Sequence, residues 1–212
     1  MADAATICNL ALSHLGDTAT VVSIDPPEES AQAKMCAIFY PQAVNTLLDL
    51  HDWSFATRRA VLPELVVKER FGWAHVFEIP ADCLHTISVT DSVRHDEARI
   101  PPGASMPIPD RPTDKREYRI EGRRLYTNLE APVLSYVSSE VSPGEFSPSF
   151  ILALSYYLAN LIAGARIKSK EGIQIASGMQ DMCARALSVA KTRDSAQRQD
   201  RIEFIPNWIQ VR

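Results

Sequence analysis

The sequence lacks the motifs that identify most classes of enzyme and metal site. It has no G-x-G-x-x-G, Walker A, G-x-S-x-G or H-E-x-x-H pattern, so dinucleotide, P-loop, serine-hydrolase and zinc-protease sites are not indicated. Its four cysteines stand singly, without C-x-x-C spacing, which predicts reduced, buried thiols rather than disulfides or a zinc site. The sequence therefore predicts no catalytic residue, no metal and no cofactor.

The sequence also lacks an excess of basic residues and a secretion signal. Twenty-two Lys and Arg against 26 Asp and Glu give a net charge of −4, whereas binding to nucleic acid by counterion release needs a basic surface. The N-terminus carries Asp3 and has no basic n-region or A-x-A site. We therefore expect synthesis in the cytoplasm without a signal peptide.

The most apolar stretch, 147–165, predicts a central core helix. Ser147 suits the N-cap and Pro148 the first helical position. Apolar residues recur at helical spacing on one face, and the opposite face is hardly polar. Because Ser155 and Asn160 interrupt a run shorter than the roughly 20 residues that span a bilayer, we expect no membrane anchor. The first face consists of Phe150, Leu154, Leu158, Leu161 and Ala165.

Three further helices are predicted. The first covers 3–15 and ends at Gly16. The second starts from the cap-like sequence at 25–28 and runs to about Leu50, with Pro41 causing either a kink or a division into two tandem helices. A break at 166–172 precedes the last helix, whose predicted apolar stripe is Ile175, Met179, Met182, Ala186 and Val189.

Between these helices the apolar period approaches two, which indicates a small antiparallel β region. Apolar residues alternate on both sides of Pro80, Gly122-Arg123 reads as a hairpin turn between 118–121 and 124–127, and 133–137 reads as one more strand. The stretch 91–116 contains five prolines and no period, so it is a long loop of the kind that is usually functional or disordered.

The predicted fold class is α+β, with helices from both ends of the chain forming one bundle. The bundle comprises 1–52 and 140–192, the inserted β region comprises 53–139, and 193–212 forms a C-terminal arm. The arm carries Phe204, Ile205, Trp208 and Ile209. So many large apolar groups indicate docking, either on the same subunit or on a neighbouring chain.

Three constellations resemble catalytic sites but are better explained structurally. His51-Asp52 matches the HD dipeptide of metal phosphohydrolases, which needs further converging ligands; a histidine at a helix C-terminus is the simpler interpretation. Cys83, with Asp82 and His85, has no visible oxyanion element. The loop carboxylates Asp91, Asp96 and Glu97 are interpreted as solvated.

Two aromatic residues, Trp53 and Phe55, follow directly after the second predicted helix. Because the pattern changes from helical to period two at this point, we expect both rings to pack at the junction between the bundle and the β region. A role in contacting a ligand is the alternative.

The chain as a whole resembles the tail tubular protein A family of short-tailed bacteriophages. The stretches that carry the resemblance are weak singly, since they hold mostly core and turn residues, but they follow one another in order along nearly the full chain. They are 8–16 (CNLALSHLG) with Ile24 and an acidic residue after it, 31–48 followed by Trp53-Ser54-Phe55-Ala56, Leu62-Pro63, 77–84 (FEIPADCL), 118–127, 134–136 (LSY) and 148–165.

The resemblance implies a structural virion protein rather than an enzyme. It implies a head–tail adaptor that forms a ring, generally of twelve copies, between the portal protein and the next tail component, a nozzle similar to tail tubular protein B. DNA passes through the ring during packaging retention and ejection without sequence-specific binding, and no cofactor is used. The protein would lie at the head–tail interface of the virion after synthesis in the host cytoplasm.

Two segments are expected to form the contacts of such a ring. The arm would bind the portal or a neighbouring subunit through Phe204, Ile205, Trp208 and Ile209, and the loop 91–116 would contribute Arg94, Arg111, Lys115 and Arg116. The alternative function is a hydrolase acting on host cell-wall or capsule polysaccharide, with a loop carboxylate such as Asp96 in the active site.

Overall fold

The computed structural model describes residues 2–18, 20–67, 69–91, 118–166 and 170–197, and the fold of this part is α+β as predicted. In sequence, helices on both sides flank an antiparallel β region. The helices are α1 (Ala4–His14), α2 (Ala31–Asp49), α3 (Pro148–Arg166) and α4 (Lys170–Gln197), with a short 3₁₀ helix at Pro143–Glu145. The strands are β1 (Thr57–Val61), β2 (His75–Glu78), β3 (Cys83–Asp91), β4 (Tyr118–Glu121), β5 (Arg124–Thr127) and β6 (Pro132–Ser138).

Helix α1 has the predicted ends. The Asp3 carboxylate accepts a hydrogen bond from the Thr6 N–H at 2.7 Å, which satisfies one of the free donors of the first turn. Gly16 adopts a φ of 73°, and the Asp17 N–H donates to the Leu12 carbonyl at 3.1 Å. This is the arrangement of a Schellman cap, for which glycine is favoured because it has no Cβ.

Helix α2 begins later than its sequence pattern predicted. The start at 25–28 is wrong, because the N-cap is Ser30, whose side chain accepts from the Ala33 N–H at 3.1 Å. Two consecutive prolines at 26–27 explain the difference, since a residue before proline is disfavoured in the helical conformation. Pro41 lies inside one continuous helix, so the division into two tandem helices is also wrong.

Helix α3 is the predicted central helix. The Ser147 Oγ accepts from the Phe150 N–H at 3.3 Å, and Phe150, Leu154 and Leu158 are fully buried. The buried face then continues through Ile162, while the expected last member of the stripe, Ala165, is exposed.

The packing of α3 distinguishes it from a membrane span. Among the described residues, Pro148–Ala165 is the one helical stretch that is long and apolar enough to cross a membrane by composition, with a mean hydropathy of 1.4. The helix nevertheless contacts α1, α2 and α4. A helix covered by three others is a core helix, as the sequence predicted.

Helix α4 differs from the sequence prediction in both its length and its buried face. It continues to Gln197, so 193–197 belong to the helix and not to the arm. The predicted stripe is half-exposed: Met182 is 42% and Val189 51% accessible. Small residues make the close contact, because short side chains at a helix crossing allow a small interaxial distance. The buried residues toward the end of α4 are Cys183, Ala186, Ala190 and Asp194.

In the described part of the chain, six antiparallel strands form two sheets with the orders β1-β6-β3 and β2-β5-β4. Successive side chains of a strand point to opposite faces, so β6 contributes to two hydrophobic cores. Val137 joins the core shared with the helices, while Leu134 and Tyr136 join a second core between the sheets. The predicted hairpin is present, with Gly122 at φ 60° in its turn. The predicted strand at 133–137 is β6, but β1 was not individually predicted.

Truncating the centre of α3 tests the importance of this helix. Leu158→Ala should lower the free energy of unfolding by about 2–5 kcal/mol, because it leaves a cavity at a fully buried site. Denaturant unfolding measures the effect. The control is Ile38→Ala on the exposed side of α2, where a change of about 0.5 kcal/mol or less is expected. Equal losses in the two variants would contradict the central position of α3.

Candidate functional site

The residues predicted to form interfaces lie outside the described residues. These are Phe204, Ile205, Trp208 and Ile209 of the arm, Arg94, Arg111, Lys115 and Arg116 of the loop, and the loop carboxylates Asp96 and Glu97. The structure describes the body of the protein that carries these segments. Within it, polar and aromatic residues converge where the end of α2 meets the first sheet and α4.

Aromatic rings fill this junction. Trp53 is fully buried, and its Nε1–H donates to the Leu47 carbonyl at 2.9 Å. The ring centroids of Phe55 and Phe150 lie 5.6 and 4.9 Å from that of Trp53, and Phe146 packs against both phenylalanines. Trp53 and Phe55 therefore pack the junction, in agreement with the structural interpretation of the sequence.

A buried carboxylate connects the end of α4 to this junction. Asp194 is 6% accessible and accepts hydrogen bonds from the Ser54 backbone N–H at 3.1 Å and the Ser54 hydroxyl at 2.5 Å. The His51 Nε2 lies 3.3 Å from its other side, a close contact without hydrogen-bond geometry. Serine and histidine thus approach the same carboxylate. A catalytic triad instead needs a bond from serine to histidine.

A second polar cluster joins β3 to the end of α2. The His85 Nε2 lies 2.8 Å from the Asp52 carboxylate, and its Nδ1 lies 3.3 Å from that of Asp49 without hydrogen-bond geometry. Nearby, the Lys191 ammonium donates to the Leu50 carbonyl at 2.8 Å. Donors at this place are favourable, because the last carbonyls of a helix lack partners and carry negative charge.

Of the three constellations that resembled catalytic sites, the His51-Asp52 pair is divided between these two clusters. His51 approaches Asp194 while the adjacent Asp52 contacts His85, so the HD dipeptide does not converge on one point. No group of three or more potential ligands able to hold a metal occurs among the described residues. Burial raises the pKa of the Cys83 thiol, which disfavours the thiolate that a nucleophile requires.

Sequence reasoning missed Asp194, although a signal for it exists. Asp194 is the last of four buried residues that follow one another at steps of three, four and four, which is the spacing of one helix face. The first three are Cys183, Ala186 and Ala190. The surrounding RDSAQRQDR sequence is polar and predicts an arm, whereas the helix continues through it to Gln197. An acidic residue in register with small buried residues is the feature that would have identified it.

The described part of the chain also has open grooves. One, of about 380 Å³, lies beside the turn of the β4–β5 hairpin and is lined by Pro80, Ile120 and His85 of the second polar cluster, among others. Another, of about 430 Å³, lies between α3 and α4, and we refer to it as the α3–α4 groove. The residues that line the α3–α4 groove are Pro148, Ser149, Leu152, Tyr156, Met182, Arg185, Ala186, Val189 and Arg193.

Comparison with known proteins leaves the function to be argued from the chain itself. No protein-family model matches the sequence, and no curated protein matches it. The family resemblance rests on the order of short stretches of sequence. The candidate site at the end of α2 rests on contacts within the chain.

Removing the charge of Asp194 tests its role as a connection between α4 and the junction. Asp194→Asn should lower the free energy of unfolding by about 1.5–3 kcal/mol, because the two Ser54 donors lose a charged acceptor. The matched control is Asp181→Asn on the exposed side of α4, which should change stability by about 0.5 kcal/mol or less. A neutral Asp194→Asn variant in urea unfolding would refute this role.

The pKa of His14 gives a second test, at the contact between α1 and α3. Its Nε2 lies 3.1 Å from the Ser155 Oγ, its ring stacks on Tyr156, and burial lowers its pKa below the usual 6.5. The unfolded chain therefore binds more protons, so stability is lost as pH falls through about 6.5 toward the folded-state pKa.

NMR titration of the His14 ring in the folded protein should give a midpoint below 6.5. The His14→Gln variant should lose part of the decrease in unfolding free energy between about pH 7 and about pH 5.5. A midpoint at or above the usual value would contradict the burial of this ring.

Proposed function

We propose that this protein is a structural virion protein of a short-tailed bacteriophage, a head–tail adaptor that binds the portal and forms a ring. The observation that carries the proposal is the ordered resemblance to the tail tubular protein A family along nearly the whole chain. In the structure its stretches occupy defining positions of the fold. The 8–16 stretch is most of α1 with its glycine cap, 53–56 is the aromatic junction, and 148–165 is most of α3.

The proposed partners follow from this role. The portal lies on one side of the ring and the next tail component, a nozzle similar to tail tubular protein B, on the other. Copies of this chain, twelve in the family it resembles, lie side by side. The protein would be made in the host cytoplasm, reside at the head–tail interface and act without catalysis or cofactor.

A ring requires heterologous contacts, in which one patch of a subunit meets a different patch of its neighbour. The predicted loop and the C-terminal arm leave the body at positions that are suited to such contacts. The loop leaves after Asp91 at the end of β3 and returns at Tyr118 in β4, and both are edge strands. The C-terminal arm leaves after Gln197, at the end of the long helix α4.

The charge of the chain agrees with a channel that DNA passes through. Phosphates bind proteins mainly through Lys and Arg, with release of counterions. A net charge of −4 supplies no general attraction for the duplex. DNA could then move during ejection without strong contacts that would have to be broken.

The proposal is tested by changing the C-terminal arm. Deleting 202–212 should abolish binding to the portal protein of the same phage, because large aromatic side chains dominate the affinity of most interfaces. Phe204→Ser and Trp208→Ser should each weaken binding at least about tenfold, which corresponds to about 1.4 kcal/mol. Co-sedimentation with purified portal particles measures the binding.

The control is Asn207→Ser, which changes a polar residue in the same segment and should leave portal binding unchanged. A chain without 202–212 that still binds the portal with the original stoichiometry would refute the assignment of the arm.

A further inference from the structure

The α3–α4 groove exposes apolar side chains that nothing among the described residues covers. Leu152 is 41%, Met182 42% and Val189 51% accessible, and all three line this groove. The charged residues in its lining are Arg185 and Arg193, both positive. An apolar patch bordered by polar groups is typical of a docking surface. Its occupant should be apolar and carry negative charge.

The groove opens close to the point where the chain leaves α4. Arg193 precedes the last helical residue, Gln197, by four positions, or about 6 Å along the axis, and Met182 precedes it by about 22 Å. Phe204 follows Gln197 by seven positions, and an extended chain of seven residues spans up to about 23–25 Å. If the chain reverses after Gln197, Phe204 and the apolar residues after it can reach along α4 as far as Met182.

The chemistry of the arm complements that of the groove. The segment 202–209 has a single ionised side chain, Glu203, so its charge is opposite to that of Arg185 and Arg193. Its remaining residues besides Pro206 and Asn207 are large and apolar, which matches the floor formed by Leu152 and its neighbours. These apolar residues are Ile202, Phe204, Ile205, Trp208 and Ile209.

We propose that the segment 202–209 docks in the α3–α4 groove of its own chain, with Glu203 facing Arg193. A tethered segment has an effective local concentration in the millimolar range for a short linker, so a modest affinity is sufficient. Docking covers Leu152, Met182 and Val189 together with the apolar arm. The inference rests on the groove and on the position of the chain end, and it holds whether or not the protein is a portal adaptor.

A consequence concerns any partner that binds the arm. Such a partner must compete with the groove. Its apparent association constant is the intrinsic constant multiplied by the fraction of chains in which the arm is undocked. The docked arm would also keep five large apolar side chains out of water before assembly.

Cross-linking between the arm and the groove tests the proposal in the full-length chain. Val189→Cys is paired with Asn207→Cys, because these changes retain the apolar anchors of the arm. The control pair is Ser188→Cys with Asn207→Cys, since Ser188 is the adjacent exposed residue on the side of α4 away from the groove. The single-cysteine variants show the background from the native thiols. A short bismaleimide is applied to dilute protein, and the products are identified by mass spectrometry.

The expected result is a cross-link within one chain, at least about fivefold more abundant for Val189→Cys than for Ser188→Cys. Equal yields from the two pairs would overturn the proposal, because a free arm samples both sides of α4. A product of two chains that requires the Val189→Cys groove position would assign the groove to the arm of a second copy, and would also overturn docking in the same chain.

Limited trypsin digestion provides an independent measurement. Cleavage after Arg201 should become at least about fivefold faster in Leu152→Asp than in the unchanged protein, because the charge releases the arm from the groove. Denaturant unfolding verifies that the variant remains folded. A folded Leu152→Asp variant with an unchanged cleavage rate would show that the arm does not occupy this groove.

Discussion

The burial of helix α3 is the constraint on which the rest of the fold depends. An amphipathic helix needs cover on one side, whereas α3 is apolar on nearly all sides and contacts α1, α2 and α4. Because α1 and α2 come from the beginning of the chain and α4 from its end, the bundle requires both termini. The β region lies between them in sequence and joins the same core through Val137.

Polar residues that resemble parts of catalytic sites instead connect the layers of the protein. Asp194 holds the end of α4 to Ser54, and His85 connects β3 to Asp52, just after the end of α2. Each contact joins residues far apart in sequence, and the Asp194 carboxylate is buried, where an unpaired charge would be costly. A rigid junction of this kind suits a body that carries binding segments at its periphery, as the proposed adaptor would.

The features predicted correctly from the sequence are those determined by nearby residues. The caps Gly16 and Ser147, and the hairpin at Gly122, depend on neighbours within a few positions. The errors arose where distant packing decides. The buried face of α4 is set by its close approach to α3, and the partners of Asp194 lie about 140 residues away. The arm and the loop, which carry the predicted interface, lie outside the described residues.

The solution mass of the purified protein, alone and after mixing with the portal of the same phage, tests the central claim most directly. Light scattering should show a stoichiometric complex whose added mass is a fixed multiple of the chain mass, as a ring on the portal requires. A chain that is monomeric alone would place the ring-forming energy in portal contacts, and a ring formed alone would place it between subunits. A monomer that remains a monomer in the presence of the portal would contradict the adaptor function.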